Sequence, residues 1–466
     1  MTQLIDAPTR AVARARRDRW LLLIPPAATL AVCLIGIDSA SLWRDEAATL
    51  DAEARPISGL LRMLIHVDAV HGLYYLLLWP VVHAFGSGEF AVRFPSGLAM
   101  AAAAYGTGQL GSQLHSRRAG ISAGLVFAAL PQVSRYGQEM RSYALVVAVA
   151  VLATCLLLRA LANPRRRNWI AYACAVSLLG LLNLFALLLL LAHARFARRQ
   201  ARVWLVTAGL ACIPAVPIVT LAVNQQDQLS WVVKPDLNAG GALAVWLAGS
   251  VLSVVLASVL IGLFLGRKPG HALTRLAIPW LVLPPIVLIL GSELKPVYVQ
   301  RYLAFCLPAL ALLIGAGLAT ITVGPRVIGL LLLTVLGTPT QSAIRQVGGH
   351  GDDIRDAASI LGQRARAGDG VLFNCPPCHY QDMPREFAFA YPQAFADLID
   401  VAVATAPSAS DTLRGTDLDH PTINVNRVWV VDVDGSTEPS ALRATGFRLV
   451  SIAHAGNITI EDYERE

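Results

Sequence analysis

The chain has 466 residues, 55% of them hydrophobic and only 15% charged, with a formal net charge of +7. A soluble globular chain carries about 25% charged residues, so the composition excludes an ordinary soluble domain. The positive balance does not point to nucleic acid, because the arginines sit at the ends of apolar blocks, where membrane orientation requires them.

The first apolar block covers residues 20–37 and follows Arg10, Arg14, Arg16, Arg17 and Arg19. No small-x-small cleavage site follows Ile37, so the block reads as a retained span rather than a signal peptide. Further blocks run through 94–111, 119–134, 142–158, 169–192, 203–223, 237–266, 276–292, 302–324 and 327–344. Each reaches or approaches the length needed to cross about 30 Å of hydrocarbon. Residues 73–86 are apolar but short, and hold Pro80 and His83.

The positive-inside rule then fixes the sides. Arg117-Arg118, Arg165 to Arg167, Arg195 to Arg202, Arg267-Lys268 and Arg326 are cytoplasmic if 73–86 lies along the membrane surface and 169–192 is a hairpin broken near Asn183. The expectation is a polytopic α-helical membrane protein of the plasma membrane with about eleven transmembrane helices. Its N-terminus lies inside and its C-terminus outside. Residues 1–344 form the membrane module, with a first outer loop at 38–93. Residues 345–466 form a small extracytoplasmic α/β domain: a helix over 352–367, short buried strands at 371–373, 428–431 and 447–452, and a helix at 440–444.

Cys33, Cys155, Cys174, Cys212 and Cys306 lie inside apolar blocks and read as packing residues. Cys375 and Cys378 flank Pro-Pro in the tail, where a local disulfide is the reading for an oxidising compartment. A zinc site is disfavoured because no second cysteine pair accompanies them. Asn457-Ile-Thr459 fits a glycosylation sequon, a weak signal.

Polar residues concentrate on the predicted outer loops. Asp45 and Glu46 follow Trp43-Arg44 just outside the first span, where adjacent carboxylates suit acid/base work, cation binding or a solvated helix start. Asp68 and His71 are three apart and share a helical face, followed by Tyr74 and Tyr75. Their spacing leaves metal ligation, hydrogen bonding to a sugar and simple interfacial polarity open. Arg93 opens the next span, and Glu139 and Arg141 lie between two others. Lys295, Arg301 and Tyr302 lie before a later one. Basic residues on an outer face run against the orientation bias and are best tolerated where they meet an anion. The forked donors of arginine match phosphate oxygens. These residues describe a carboxylate site ringed by cations, fitted to a lipid phosphate that departs while an aspartate deprotonates an acceptor hydroxyl.

At Trp43-Arg44-Asp45-Glu46-Ala47, 68–75, 85–96, 136–145 and Arg301-Tyr302, the sequence resembles the GT-C glycosyltransferases. The resemblance is to the protein O-mannosyltransferase and aminoarabinose transferase group, and it covers about the first 320 residues. It implies a GT-C fold and inverting transfer of mannose or a similar sugar from a polyprenyl-phosphate donor to a lipid, glycan or protein acceptor on the outer face. It assigns Asp45 as base, with Glu46 as the alternative, and Arg93 beside the donor phosphate. Arg141, Lys295 and Arg301 complete the expected phosphate set; Asp68, His71, Tyr74, Glu139 and Tyr302 are expected at the acceptor or sugar. No metal ligands are assigned, and a divalent cation is the one cofactor left open. The sequence departs from the group at His71-Gly-Leu, where His-Pro-Pro is common, and at Asn183-Leu-Phe, where many relatives have a histidine. A flippase or transporter of a lipid-linked sugar is the alternative, but no repeated halves are visible and the ionisable residues gather at one interface.

Overall fold

The computed structural model describes residues 20–267, 272–374, 384–418, 421–433, 442 and 445–466. Cys375, Cys378 and most of the expected helix at 440–444 lie outside these residues. Among the described residues five helices are long and apolar enough to cross a membrane: Tyr143–Ala162, Arg198–Asn224, Ala272–Leu294, Gln300–Ala319 and Val323–Ile344. A sixth is obtained if Ala239–Ala248 and Val251–Arg267 count as one span.

The remaining expected spans differ for physical reasons. Helix Glu89–Leu114 is long enough, but it is rich in Ala and Gly and carries Glu89 and Arg93 at its start. Residues 117–137 divide at Leu130-Pro131 into Arg117–Ala129 and Pro131–Gly137. The 169–192 block breaks at Asn183, as its sequence suggests. Helix Arg166–Leu182 ends there, and the Asn183 side chain accepts a hydrogen bond from Ala186 N–H to start the next turn. The 237–266 block, read from sequence as one helix, bends by 85°. Gly249 makes that bend with φ 95°, and a Cβ there would lie 2.6 Å from Pro131, so only glycine fits.

Apolar residues fill the core and also cover much of the outer face. Helix Gln300–Ala319 is 89% buried inside the bundle, against 17% for Arg198–Asn224. The latter exposes Val203, Leu205, Val206, Leu210 and Ile213. A continuous apolar outer face of this kind is stable against lipid and not against water. Small residues bring the central helices together: a Cβ on Gly315 would run into the backbone of Ala123, the close approach typical of membrane helix pairs.

The tail carries helix Ile354–Arg364, capped by Asp353, on a five-stranded sheet. Its strands are β1 (Gly370–Asn374), β2 (Ile399–Asp400), β5 (Arg427–Val433), β6 (Phe447–Ala455) and β7 (Ile458–Arg465). A separate hairpin pairs β3 (Val403–Thr405) with β4 (Thr416–Asp417). The sheet order is β2-β1-β5-β7-β6, with β1 parallel to β2 and β5 and the rest antiparallel. Strand β7 was not expected, because charged residues interrupt its apolar pattern; Asp462 is instead paired with Arg427 of β5 at 2.8 Å. Gly456, with φ 61°, turns β6 into β7. Asn457 of the sequon donates its side-chain amide to Asp352 at 2.8 Å.

The first loop is anchored on two sides. Helix Arg44–Glu53 turns Glu46 inward, where Arg93 grips it through Nε (2.9 Å) and Nη2 (2.6 Å). The other Arg93 donors reach the carbonyls of Ile37, Ala40 and Ser41. Met140 N–H also donates to Glu46 at 2.8 Å. Toward the tail, Arg44 forms a forked pair with Asp352 (2.9 and 2.8 Å), and Glu89 accepts from Arg355 and Tyr391. Arg93→Met removes five donors and strands a buried carboxylate. Breaking such a pair costs about 3–5 kcal/mol, so the purified variant should unfold well before the wild type on heating in detergent. A stability loss below about 1 kcal/mol would show that the pair does not hold the loop.

Candidate active site

Helical periodicity separates the two adjacent carboxylates. Successive residues lie about 100° apart around a helix, so Glu46 enters the core while Asp45 and Ala48 face a cavity of about 680 Å³. The cavity floor and walls come from several polar loops at this end of the bundle. Asp68 and His71 belong to the first loop, Arg141 and Tyr143 to the 137–143 turn, Gln228 and Trp231 to the 224–236 loop, and Arg301 and Tyr302 to the start of helix Gln300–Ala319. Glu386 and Arg414 of the tail close it from above.

Two guanidiniums flank Asp45. Arg301 Nη1 lies 3.5 Å and Arg141 Nε 3.7 Å from Asp45 Oδ2, too long for hydrogen bonds. Burial works to raise the Asp45 pKa, but Arg301, Arg141 and Arg44 together pull it below its ordinary value, so the group is a carboxylate at neutral pH. Arg301 is sandwiched by aromatic faces, its guanidinium carbon 5.3 Å from the Trp231 ring and 5.8 Å from Trp43. Its face-on contact with π electrons stabilises a cation that has few oxygen partners.

Arg141 Nη2 meets His71 Nε2 at 2.9 Å. A guanidinium has no lone pair to offer, so Nε2 accepts; His71 is neutral and carries its proton on Nδ1. That Nδ1–H is buried without a partner, as are Arg141 Nε, Arg301 Nε, Trp231 Nε1 and the acceptor Asp45 Oδ2. Such groups are costly in a closed protein. Four donors and one carboxylate oxygen around one cavity describe the complement of an anionic, oxygen-rich ligand.

Asp68 is committed differently. Its Oδ2 accepts from Tyr75 Oη at 2.7 Å, and the Gln228 side chain, with its amide oriented to suit, donates to Oδ1 (3.0 Å) and accepts from Asp68 N–H (2.9 Å). Burial raises the Asp68 pKa, with Arg141 and Tyr75 opposing. Asp68 (φ 56°) and Arg414 (φ 73°) are the only non-glycine residues with positive φ among the described residues, and both line this cavity. Each costs about 1 kcal/mol or more of backbone strain, which persists where surrounding contacts enforce it. Asp51 holds Arg414 by accepting from its N–H at 2.7 Å, and Arg414 Nε donates to Glu386 Oε2 at 2.8 Å.

Of the residues expected from sequence, Asp45, Asp68, His71, Arg141, Arg301 and Tyr302 therefore line one cavity. Arg93 and Glu46 do not: every Arg93 donor is spent on the protein, and neither side chain has any exposure. This removes Arg93 from phosphate binding and Glu46 from the base role. Glu139 pairs with Arg135 at 2.8 Å and Tyr74 is buried against Tyr75, both away from the cavity lining. Lys295 is exposed and bonded to Gln226. No motif in the sequence marks Gln228, Trp231, Glu386 or Arg414. Trp231 and Arg301 also border a second, aromatic-walled groove of about 1,250 Å³, with Tyr136, Trp246 and Tyr298. One carboxylate flanked by guanidiniums is a poor cation site. Among the described residues no group of three or more His, Cys, Asp and Glu side chains is placed to hold a metal.

A helical membrane bundle with a loop-built cavity under a small α/β cap is the architecture of the GT-C glycosyltransferases, and this chain has that fold. Over residues 73–223 its sequence matches the family described as dolichyl-phosphate-mannose-protein mannosyltransferase. Among solved structures it is similar to ArnT from Cupriavidus metallidurans bound to undecaprenyl phosphate (TM-score 0.62, 13% identity, 94% of this chain and 96% of that one). The apo state of ArnT gives TM-score 0.61, 14% identity and coverage of 96% and 98%. The apo Archaeoglobus fulgidus oligosaccharyltransferase gives 0.52, 10%, 89% and 69%. No curated protein matches at the sequence level.

Burial lifts Glu386 from its ordinary 4.5 to about 7, with Arg414 opposing and Asp51 and Asp45 reinforcing. A carboxyl whose folded pKa is raised stabilises the fold below its unfolded pKa, and this contribution is lost as pH rises through the folded one. Wild-type melting temperature should therefore fall between about pH 4.5 and about pH 7 relative to Glu386→Gln and level off above. Parallel pH profiles of the two proteins in detergent would refute the assignment.

Proposed function

We propose that the chain is an inverting glycosyltransferase that takes its sugar from a polyprenyl-phosphate donor. The observation that carries this reading is the set of unpartnered buried donors around Asp45, combined with the GT-C fold. The donor phosphate lies against Arg141 and Arg301, and the polyprenyl chain leaves along the aromatic groove that shares Trp231 and Arg301 with the cavity.

Asp45 acts as general base. The acceptor hydroxyl attacks the sugar C1 from the face opposite the phosphate; the C1–O bond to phosphate breaks and its electron pair leaves on the phosphate oxygen. Arg141 and Arg301 neutralise that charge as it develops, and the hydroxyl proton passes to Asp45. A depressed pKa makes Asp45 a weak base in the free protein. An anionic phosphate beside the same guanidiniums offsets their pull and restores its basicity. A hydroxyl gives up its proton late in such a displacement, so a modest base suffices. Arg44 and Glu386 face the cavity from the loop and tail and are assigned to the acceptor. The sugar is mannose or a similar residue, and the acceptor is a lipid, glycan or protein.

The test is release of polyprenyl phosphate from a radiolabelled polyprenyl-phosphate mannose by purified protein with membrane-extract acceptors. Asp45→Asn should lower turnover about a hundredfold or more, while Glu46 variants should lose stability first. Arg301→Lys keeps charge but loses the fork, and should raise KM more than it lowers kcat. Full turnover by folded Asp45→Asn would end the base assignment. Translocation of intact donor without phosphate release would make the protein a transporter.

The cavity face is assigned to the extracytoplasmic side, because arginine-rich loops crowd the other end of the bundle. In a variant lacking Cys375 and Cys378, Leu418→Cys on the exposed tail should react with a membrane-impermeant thiol reagent in intact cells. Labelling only after lysis would reverse the orientation.

A further inference from the structure

Helix Tyr143–Ala162 starts at the cavity, where Tyr143 is part of the lining. Its 20 residues carry the chain about 30 Å to the opposite end of the bundle. There a crevice of about 1,020 Å³ lies between Leu161, Arg195, Arg198, Arg199, Gln200 and Arg275. The arginines come from three segments: helix Leu189–Phe196, the turn Arg198–Gln200 and helix Ala272–Leu294. Gln200 Nε2 donates to the carbonyl of Leu161 at 2.9 Å, pinning that turn to the end of the long helix.

Among the described residues none of these four cations meets a carboxylate. The sequence holds no acidic residue from 142 to 226 or from 237 to 292. Every Asp and Glu between residues 20 and 344 lies on the loops of the cavity end or in the residues flanking them. Orientation bias explains why arginines lie at this end. It does not require four from three segments to converge on one concave site. Directly beyond the crevice, helix Arg198–Asn224 presents exposed Leu205, Val206 and Leu210. A ligand with an anionic head and apolar chains fits both surfaces at once.

We propose that this crevice binds the phosphate of an anionic phospholipid, with the acyl chains laid along helix Arg198–Asn224. Arginine forks donate to the phosphate oxygens, and a basic pocket between helices at the headgroup level is the usual form of such a site. The site is independent of the catalytic reading, since it lies at the other end of the bundle.

The test uses the full chain in a neutral detergent, read by native mass spectrometry. Dioctanoyl phosphatidylglycerol should remain bound, and dioctanoyl phosphatidylcholine should not. Millimolar inorganic phosphate should fail to displace the lipid; displacement would mean a free-phosphate site and overturn the lipid assignment. Arg195→Gln/Arg198→Gln/Arg199→Gln/Arg275→Gln should weaken retention at least about tenfold, a single close cation–phosphate contact being about fivefold. Arg275→Gln alone should weaken it by about that single step, and serves if the fourfold variant does not fold. Arg301→Gln, at the cavity, should leave retention unchanged. Equal retention by wild type and the crevice variants, or loss in Arg301→Gln alone, would overturn the proposal.

Discussion

A carboxylate and a guanidinium with no access to solvent can coexist only if each satisfies the other and every spare hydrogen-bonding position is filled. Glu46 and Arg93 meet that condition: two contacts between them, three backbone carbonyls on Arg93 and one backbone N–H on Glu46. The pair fixes the rotation of helix Arg44–Glu53 about its own axis. With Glu46 locked inward, Asp45 has one place to go, a step of about 100° round the helix and into the cavity. The cavity geometry at Arg44, Asp45 and Ala48 follows from that single orientation. Thr49 then accepts from Arg141 at 3.2 Å, which carries the constraint to the next wall.

The cavity contrasts with this anchor in how its polar groups are satisfied. Arg93 has five good acceptors, whereas Arg141 and Arg301 keep their Nε donors unspent, and Asp45 faces them at distances too long for hydrogen bonds. Such an arrangement is unfavourable alone and favourable with an anion between the parts. Two left-handed non-glycine residues beside it add to the same imbalance. The Glu46–Arg93 and Arg44–Asp352 pairs nearby hold the surrounding elements in place.

Much of this organisation was legible in the sequence, because membrane insertion imposes a simple rule on charge. Sorting loops by arginine content placed Asp45, Asp68, His71, Arg141, Arg301 and Tyr302 on one end, and the structure brings them to one cavity. Loop charge carries no information about rotation about a helix axis. By charge alone Arg93 and Arg301 are equivalent, although one is consumed by the fold and the other faces the cavity. Adjacent Asp45 and Glu46 looked equivalent until the helix separated them. Glu386 and Arg414 lie more than 300 residues from Asp45 and carry no motif, so only tertiary folding joins them to it. The 85° bend at Gly249 had a local sign, the Gly249-Ser250 break in an apolar run, but nothing in the run itself indicated the close approach of Pro131.

The link from Asp51 through Arg414 to Glu386 bears on how the protein is made. The membrane helices and the first loop are synthesised first, with Asp45, Arg141 and Arg301 all in place by residue 301. The cap over them waits for residues 386 and 414, and the sheet that supports the cap is completed by β7 (Ile458–Arg465). A ribosome that has translated only the bundle therefore holds a cavity with no roof, and closure waits for the tail. Without residues 386 and 414 the same carboxylate and arginines have no cover from the tail.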